Sequence, residues 1–307
     1  MEKVKDFEIK KGKTADEIVK QMRESGGFTA KNLSVGVDIL EAMLKDKEAL
    51  KFLSFPACII ATGTRGIIRE MLKRKWFSLV VTTCGTLDHD LARCYRDYYQ
   101  GDFFMDDSQL HKKGISRIGN ILVPNESYGE IIEEKMIQFL NEIYSEGKRE
   151  LATYELCWEI GKRLNENSLL YWCWKNGIPV IVPGITDGAV GYQLWQFSQD
   201  HDLKVNVLKD EKLLSDTVWS AKKSGALIVG GGISKHHVLW WNLFKRGLDY
   251  AVYVTTAVEY DGSLSGARPR EAVSWGKIRE KAKMTTIEAD ATVVLPLIFA
   301  ALLERVG

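Results

Sequence analysis

The chain has 307 residues, enough to bury a substantial core in one large domain or two smaller ones. Hydrophobic residues make up 45% and charged residues 27%, proportions that exclude a disordered or fibrous protein. The 42 basic and 41 acidic residues nearly cancel, so the net charge of +1 gives no reason to expect a nucleic acid or a membrane surface as a partner.

The amino-terminal residues and the cysteines both indicate a cytoplasmic protein. The chain begins with charged residues, and no stretch approaches the roughly 20 apolar residues that a membrane span needs. The five cysteines are odd in number and contain no CxxC pair, which argues against a disulfide framework and a zinc site. We therefore expect reduced, mostly buried thiols and a cytoplasmic location.

The first 50 residues are predicted to be helical. Thr14-Ala15-Asp16-Glu17 has the spacing of a capping box, which predicts a helix from there to Gly26. Residues 33–45 carry apolar side chains at helical spacing. We expect residues 1–50 to form an N-terminal helical extension on a catalytic domain of residues 51–307.

Beyond residue 50, short apolar runs alternate with amphipathic stretches. The runs cover residues 57–62, 79–83, 179–182, 226–229 and 250–254, and the amphipathic stretches cover 66–74, 154–164 and 213–223. Strands that are buried on both faces of a parallel sheet are typically continuous apolar runs. The pattern predicts an α/β fold: a doubly wound, mostly parallel, Rossmann-like sheet with helices on both faces.

Glycines and polar residues follow several of these predicted strands. In an open parallel sheet, ligands bind beyond the carboxyl ends of the strands. The strongest pattern is residues 229–237, where a strand leads into three glycines and then a helix start. A single loop of this kind more often serves only as a tight turn. Loops of this kind after four predicted strands together favour binding of a phosphate or a dinucleotide. Neither G-x-G-x-x-G nor a P-loop is present.

Two clusters of polar residues have simpler explanations. Asp88-His89-Asp90 is predicted to open a helix, where acids stabilise the positive end of the dipole whether or not they bind a ligand. His236-His237 is a poor metal site, because adjacent histidines diverge on a helix and no third ligand has suitable spacing. We therefore expect no metal.

Lys277 is a candidate nucleophile because of its neighbours. It follows Trp275 and Gly276, and contact with an apolar indole would favour the neutral amine that imine chemistry requires. Among 42 basic residues, however, this context alone does not single it out.

A family resemblance does single it out. Residues 230–237, followed by 249–253, 261–263, 265–269 and 271–278, resemble deoxyhypusine synthase. The likeness extends to residues 118–126, 186–188 and 289–291 and covers most of the chain from about residue 50 onward.

The resemblance implies a reaction cycle. NAD takes a hydride from spermidine, the imine passes to an enzyme lysine with loss of diaminopropane, and the 4-aminobutyl group moves to a lysine of a translation initiation factor precursor. It implies that Lys277 is the covalent lysine, that His236 contacts the polyamine, and that Glu271 and Trp275 line the substrate. It also implies a homotetramer with shared active sites. The NAD site implied comprises Thr83, Cys84, Gly85, Asp187, Gly231, Thr256, Ala257, Asp290 and Ala291.

The sequence departs from the family where ammonium groups are expected to bind. Tyr192 and Leu264 replace two aspartates, and residues 85–90 read Gly-Thr-Leu-Asp-His-Asp instead of Gly-Gly-Val-Glu-Glu-Asp. A buried ammonium without a counter-charge is costly. The substrate-binding residues that we expect instead are Asp88, His89, Asp261, Gly262, Glu271 and Trp275.

These departures leave alternatives open. The amine donor is spermidine or a related amine such as agmatine, and the acceptor is a protein lysine or a free polyamine, as in a homospermidine synthase. A non-catalytic NAD-binding scaffold is a further alternative, although it would have no need of a desolvated lysine.

Overall fold

The computed structural model describes all 307 residues. The helices are α1 (Ala15–Ser25), α2 (Phe28–Lys45), α3 (Thr64–Lys73), α4 (Cys84–Ala92), α5 (Asp107–Lys112), α6 (Gly129–Ser145), α7 (Thr153–Arg163), α8 (Leu169–Asn176), α9 (Ala189–Asp200), α10 (Val207–Ser220), α11 (Gly232–Leu243), α12 (Pro269–Ser274) and α13 (Ala291–Val306). The strands are β1 (Ala49–Ser54), β2 (Leu79–Val81), β3 (Tyr99–Gln100), β4 (Ile115–Ile118), β5 (Ile121–Pro124), β6 (Glu150–Leu151), β7 (Val180–Ile181), β8 (Lys204–Val205), β9 (Lys223–Val229), β10 (Leu248–Thr255) and β11 (Ile278–Glu288). Short 3-10 helices cover Ala57–Ala61, Asn125–Ser127 and Glu259–Asp261.

The chain forms two compact units. The first contains residues 1–55, 76–81 and 214–307, and the second contains residues 56–75 and 82–213. Helix α1 has the predicted capping box, in which the side chains of Thr14 and Glu17 bond each other's backbone amides. The predicted division at residue 50 stays a prediction.

A parallel sheet forms the core of the first unit. Within this unit, five strands of the sheet run in the order β11-β10-β9-β1-β2. A Cβ added to Gly36 of α2 would lie 3.3 Å from the side chain of Val252, and Lys235 of α11 lies over the ring of Tyr253. Because Val252 and Tyr253 are adjacent in β10, their side chains point to opposite faces. Helices α2 and α11 therefore cover the two faces of the sheet, which confirms the predicted α/β architecture.

The first predicted strand is wrong. Ala57–Ala61 form a 3-10 helix that ends before Thr62, and the strand lies earlier, at β1. Pro56 cannot donate a ladder hydrogen bond, and the hydroxyls of Thr62 and Thr64 both donate to the carbonyl of Ile59, which closes the turn. A short apolar run is compatible with a buried helical turn as well as with a strand, so composition alone could not distinguish the two structures.

The second unit contains helices and two small sheets. Strands β3, β5 and β4 form an antiparallel sheet in that order, and β6 pairs with β8 in parallel. Helix α4 begins at Cys84, so the prediction that Asp88-His89-Asp90 opens a helix is wrong. These three residues lie inside the helix and are buried, because they face other helices of this unit.

Several other features bear on the site. None of the five cysteines forms a disulfide, and three of them are buried. No group of three or more His, Cys, Asp or Glu side chains is arranged to hold a metal ion. None of the helices combines the length and the apolar character that crossing a membrane requires.

Candidate active site

The glycine turn after β9 leads into α11 in the first unit. Gly230 and Gly232 both have φ of 68°, in the left-handed region that glycine adopts without steric penalty. A Cβ added to Gly231 would lie 2.7 Å from the backbone nitrogen of Ser265 and closer still to its Cα and Oγ. Gly231 therefore lets the loop at Ser265 pack directly against the turn, whereas the space beside Gly232 is open.

The loop after β10 borders a small cavity in the same unit. The cavity has a volume of about 300 Å³ and is lined by Thr256, Ala257, Val258, Glu259, Tyr260, Arg268 and Glu288. Arg268 pairs with Glu288 at 2.6 Å, but its Nη1 is buried and has no hydrogen-bond partner. A buried guanidinium group with an unused donor beside a polar cavity suits the polar groups of a dinucleotide.

Lys277 lies in the turn between α12 and β11. Its N–H donates to the carbonyl of Ala272 at 2.9 Å and its own carbonyl accepts from Leu248 at 3.0 Å, so the backbone is fixed on both sides. The Nζ atom lies 5.3 Å from the ring centroid of Trp275. Trp275 is 64% exposed, so its indole does not provide the dry surface that the sequence predicted.

The pKa of His236 responds to its burial and to the charge of Lys277. Partial burial and the positive charge of Lys277 both lower the pKa of His236. The imidazole stacks against Trp240 with 6.1 Å between ring centroids. The two predicted catalytic residues are therefore close enough for the charge of one to act on the other.

Lys235 is a buried residue that the sequence analysis did not single out. Only 1% of it is exposed, and its Nζ donates to the carbonyl of Ala267 at 2.7 Å. Burial lowers its pKa to about 8. Its position could have been found from helix periodicity, because Val238 and Leu239, three and four residues later, are also buried.

Acidic residues of the first unit are mostly exposed. Glu271 lies in α12, and Asp261 accepts a hydrogen bond from the backbone of Ser263 at 2.6 Å. Gly262 follows with φ of 70°. Both carboxylates are exposed and so remain accessible to a cationic ligand.

Asp290 and Ala291 mark the start of α13. Asp290 is the N-cap residue and accepts from the backbone of Thr292 at 2.9 Å, while Ala291 is the first helical residue. One oxygen of an exposed carboxylate is thus used locally, which leaves the other for a ligand hydroxyl.

In the second unit, three predicted cofactor residues begin α4. Thr83 is the N-cap residue, without a side-chain capping bond. Cys84 is buried with its Sγ 4.0 Å from Oδ1 of Asp88, and burial and that carboxylate raise the pKa of the thiol. A Cβ on Gly85 would lie 2.9 Å from the Cβ of Ala57, so the glycine allows close packing there.

Asp88 caps α9. Its carboxylate accepts from the backbone of Ala189 at 2.9 Å, from that of Val190 at 2.8 Å and from the hydroxyl of Tyr128 at 2.7 Å. Burial raises the pKa of Asp88, and these hydrogen bonds oppose the rise. Asp88 therefore already has protein partners, and its predicted contact with substrate stays a prediction.

His89 lies beside Asp88 in an aromatic environment. Its Nδ1 is 2.9 Å from the hydroxyl of Tyr98, and its ring centroid is 5.4 Å from that of Tyr128. Burial, reinforced by the charge of Arg93, lowers the pKa of His89 to about 4. The imidazole is thus neutral at physiological pH and adds no charge that would repel an amine.

Asp90 has a structural role that the sequence did not reveal. It pairs with Arg65 at 2.8 Å and accepts from the hydroxyl of Ser168 and the backbone of Leu169 and Leu170. Asp90 thus caps α8 as Asp88 caps α9.

The remaining predicted residues of the second unit lie between β7 and α9. Asp187 is exposed, and a Cβ on the next residue, Gly188, would lie 2.8 Å from both Asp88 and Cys84. Tyr192, which replaces a family aspartate, is 55% exposed. The loop is therefore packed closely at Gly188 and open at Asp187.

Comparison with known protein families gives a consistent result. A family model described as deoxyhypusine synthase matches residues 17–302. A relative in Picrophilus torridus, named as a probable deoxyhypusine synthase, is 55% identical and covers 99% of this chain and 97% of its own length. A relative with the same name in Thermoplasma acidophilum is 52% identical and covers 98% of this chain and 97% of its own length.

Comparison with solved structures supports the fold. A crystal structure from Entamoeba histolytica, named as a candidate deoxyhypusine synthase, has a TM-score of 0.70 and covers 98% of this chain and 97% of its own. Its sequence identity is 21%, so the likeness bears on the fold alone.

Proposed function

The chain belongs to the deoxyhypusine synthase family and is a transferase, and we propose that it transfers the 4-aminobutyl group of spermidine to a lysine of a translation initiation factor precursor. In this proposal NAD is the redox cofactor and Lys277 carries the group as an imine. The observation that supports the chemistry best is the match of the deoxyhypusine synthase family model to residues 17–302, a span that includes both His236 and Lys277.

The polar loops of each unit fit a dinucleotide. In the first unit, Thr256 and Ala257 line the cavity beside Arg268, and Asp290 offers a carboxylate at a helix start. In the second, the start of α4 and the exposed Asp187 offer similar groups. When bound, NAD would accept a hydride from the amine donor and later return it.

Imine exchange assigns a defined task to Lys277. The neutral Nζ adds to the imine carbon of the oxidised donor, forming a C–N bond, and the bond to the diaminopropane nitrogen then breaks. A proton must leave Nζ and another must reach the departing amine. The imidazole of His236 is a group of the kind that can accept the proton from Nζ and pass it on.

Recognition of the amine donor would rely on exposed carboxylates. Glu271 and Asp261 are exposed in the first unit, whereas Asp88 in the second already accepts three hydrogen bonds. Neutral His89 adds no repulsion. Because Tyr192 and Leu264 replace family acids, agmatine remains the alternative donor.

The identity of donor and acceptor can be tested in one experiment. The enzyme with NAD is incubated with labelled spermidine or labelled agmatine, and with either the initiation factor precursor or putrescine. We expect label from spermidine on the protein acceptor. Label only in a free polyamine would support homospermidine synthesis, and label only from agmatine would replace spermidine as the donor.

The family also suggests a homotetramer, to which large exposed aromatic residues such as Trp195 and Trp219 would contribute anchoring contacts. Light scattering at micromolar concentration should give four chains per particle. A monomer would remove this part of the proposal.

A further inference from the structure

Lys235 is the only lysine among the buried residues of the chain. It lies in the first turn of α11, directly after the glycine turn. Its Nζ donates to the carbonyl of Ala267 at 2.7 Å and lies 4.2 Å from the ring centroid of Tyr253. One carbonyl and one aromatic face therefore hold an ammonium group that is almost completely removed from water.

The charge of Lys235 does not stabilise the fold. Burial lowers its pKa from 10.5 to about 8, while Glu271 favours the charged form and Arg268 opposes it. The phenol of Tyr253, whose own pKa burial raises, faces it from β10. The unfolded chain binds this proton more tightly, so stability rises as the pH rises from about 8 to 10.5. At neutral pH, an apolar side chain of similar length should leave the fold at least as stable.

The partner of Lys235 lies in a loop that leads to the proposed nucleophile. Ala267 precedes α12 by two residues, and α12 leads to Lys277. Three further contacts hold the loop: Gly231 packs against Ser265, the hydroxyl of Thr255 donates to the carbonyl of Ser265 at 3.1 Å, and Arg268 pairs with Glu288 at 2.6 Å. The hydrogen bond from Lys235 joins the carboxyl-terminal part of the loop to α11.

We propose that Lys235 is a positioning residue, which holds the loop of residues 263–268 against the glycine turn and thereby fixes α12 and the position of Lys277 next to His236. This inference rests on the proposed role of Lys277. It explains why a lysine occupies a buried site where its charge is unfavourable for stability.

The test compares Lys235→Met with wild type and with Lys281→Met, a control at an exposed lysine. Three quantities are measured: the melting temperature, the hydrogen-exchange protection of residues 263–268 at pH 7 and pH 9, and the rate at which Lys277 forms a borohydride-trapped adduct with spermidine and NAD. Lys235→Arg, which keeps a charged donor, serves as the rescue variant.

We expect Lys235→Met to melt no lower than wild type, to lose at least tenfold in loop protection at pH 7 and to form the adduct at least tenfold more slowly. In wild type, loop protection should fall between pH 7 and pH 9, as Lys235 loses its proton, and in Lys235→Met it should not change. Lys235→Arg, if it folds, should recover part of the adduct rate, and Lys281→Met should match wild type throughout.

Unchanged loop protection and adduct rate in Lys235→Met would overturn the positioning role. A melting temperature of Lys235→Met so far below wild type that partial unfolding explains its slower adduct formation would overturn it as well. An adduct on Lys235 would make it the nucleophile instead. If wild type forms no adduct, the proposed function fails, whereas the hydrogen-exchange comparison still tests whether Lys235 holds the loop.

Discussion

Replacement of Gly231 by alanine tests whether the loop at Ser265 must touch the glycine turn. The added Cβ would lie 2.7 Å from the backbone nitrogen of Ser265, where ordinary contacts begin at 3.4 Å. The loop backbone must therefore move away from residue 231 by at least the 0.7 Å between these two distances. Overpacking of this kind costs about 1–3 kcal/mol.

Thermal unfolding measures this cost, with Gly66→Ala as the control. A Cβ at Gly66 meets nothing within 4 Å, and the change should stabilise helix α3 by about 0.5–1 kcal/mol. Adding Ser265→Gly to Gly231→Ala removes the clash with Oγ but not those with the Cα and nitrogen, so the rescue should be incomplete. If Gly231→Ala melts at or above the wild-type temperature, the close packing described here is incorrect.

Three other predictions concern the cofactor, pH and the amine donor. Asp187→Ala and Gly231→Trp should each weaken NAD binding in calorimetry, and unchanged affinity in both would contradict the cofactor assignment. The pKa of His89 falls from 6.5 to about 4 on folding, so between these pH values the unfolded chain takes up a proton that the native chain does not. The free energy of unfolding should therefore drop by about 3 kcal/mol as the pH falls from 6.5 to about 4. Denaturant titrations should show that the free energy of unfolding of His89→Gln falls less in acid than that of wild type. An identical fall in both would show that His89 is not the cause. Aspartate at both Tyr192 and Leu264 should increase the preference for spermidine over guanidinium-bearing amines, whereas a wild type that already prefers spermidine strongly, with no gain in the double variant, would refute this interpretation.

Much of the central sheet could be predicted from the sequence because its inner strands are buried on both faces. Strands β9 and β10 are continuous apolar runs for this reason. The edge strand β11 was not predicted, since it contains charged residues such as Lys281 and Lys283, which are typical of an exposed sheet edge. β1 was overlooked because the neighbouring run at residues 57–62 is more apolar, although it forms a 3-10 helix.

The sequence proposed candidate site residues by their identity, but it did not reveal the tertiary contacts around them. The glycine turn was proposed from its sequence pattern, and Lys277 was selected by the family resemblance. The capping of α9 by Asp88 joins residues about 100 positions apart, so no local pattern reveals it. Helix periodicity indicates that Lys235 lies on the buried face of α11, but its contacts with Ala267 and Tyr253 depend on the tertiary structure.

Covalent trapping at Lys277 tests the central claim most directly. The enzyme is incubated with spermidine and NAD, treated with borohydride, digested and analysed by mass spectrometry, alongside Lys277→Ala and Lys277→Arg. Imine exchange needs a neutral primary amine at one fixed point, and a guanidinium stays protonated, so neither variant should react. We predict one added aminobutyl group on the wild-type peptide that contains Lys277 and none in the variants. An adduct on a different lysine, or full turnover by Lys277→Ala, would contradict the account.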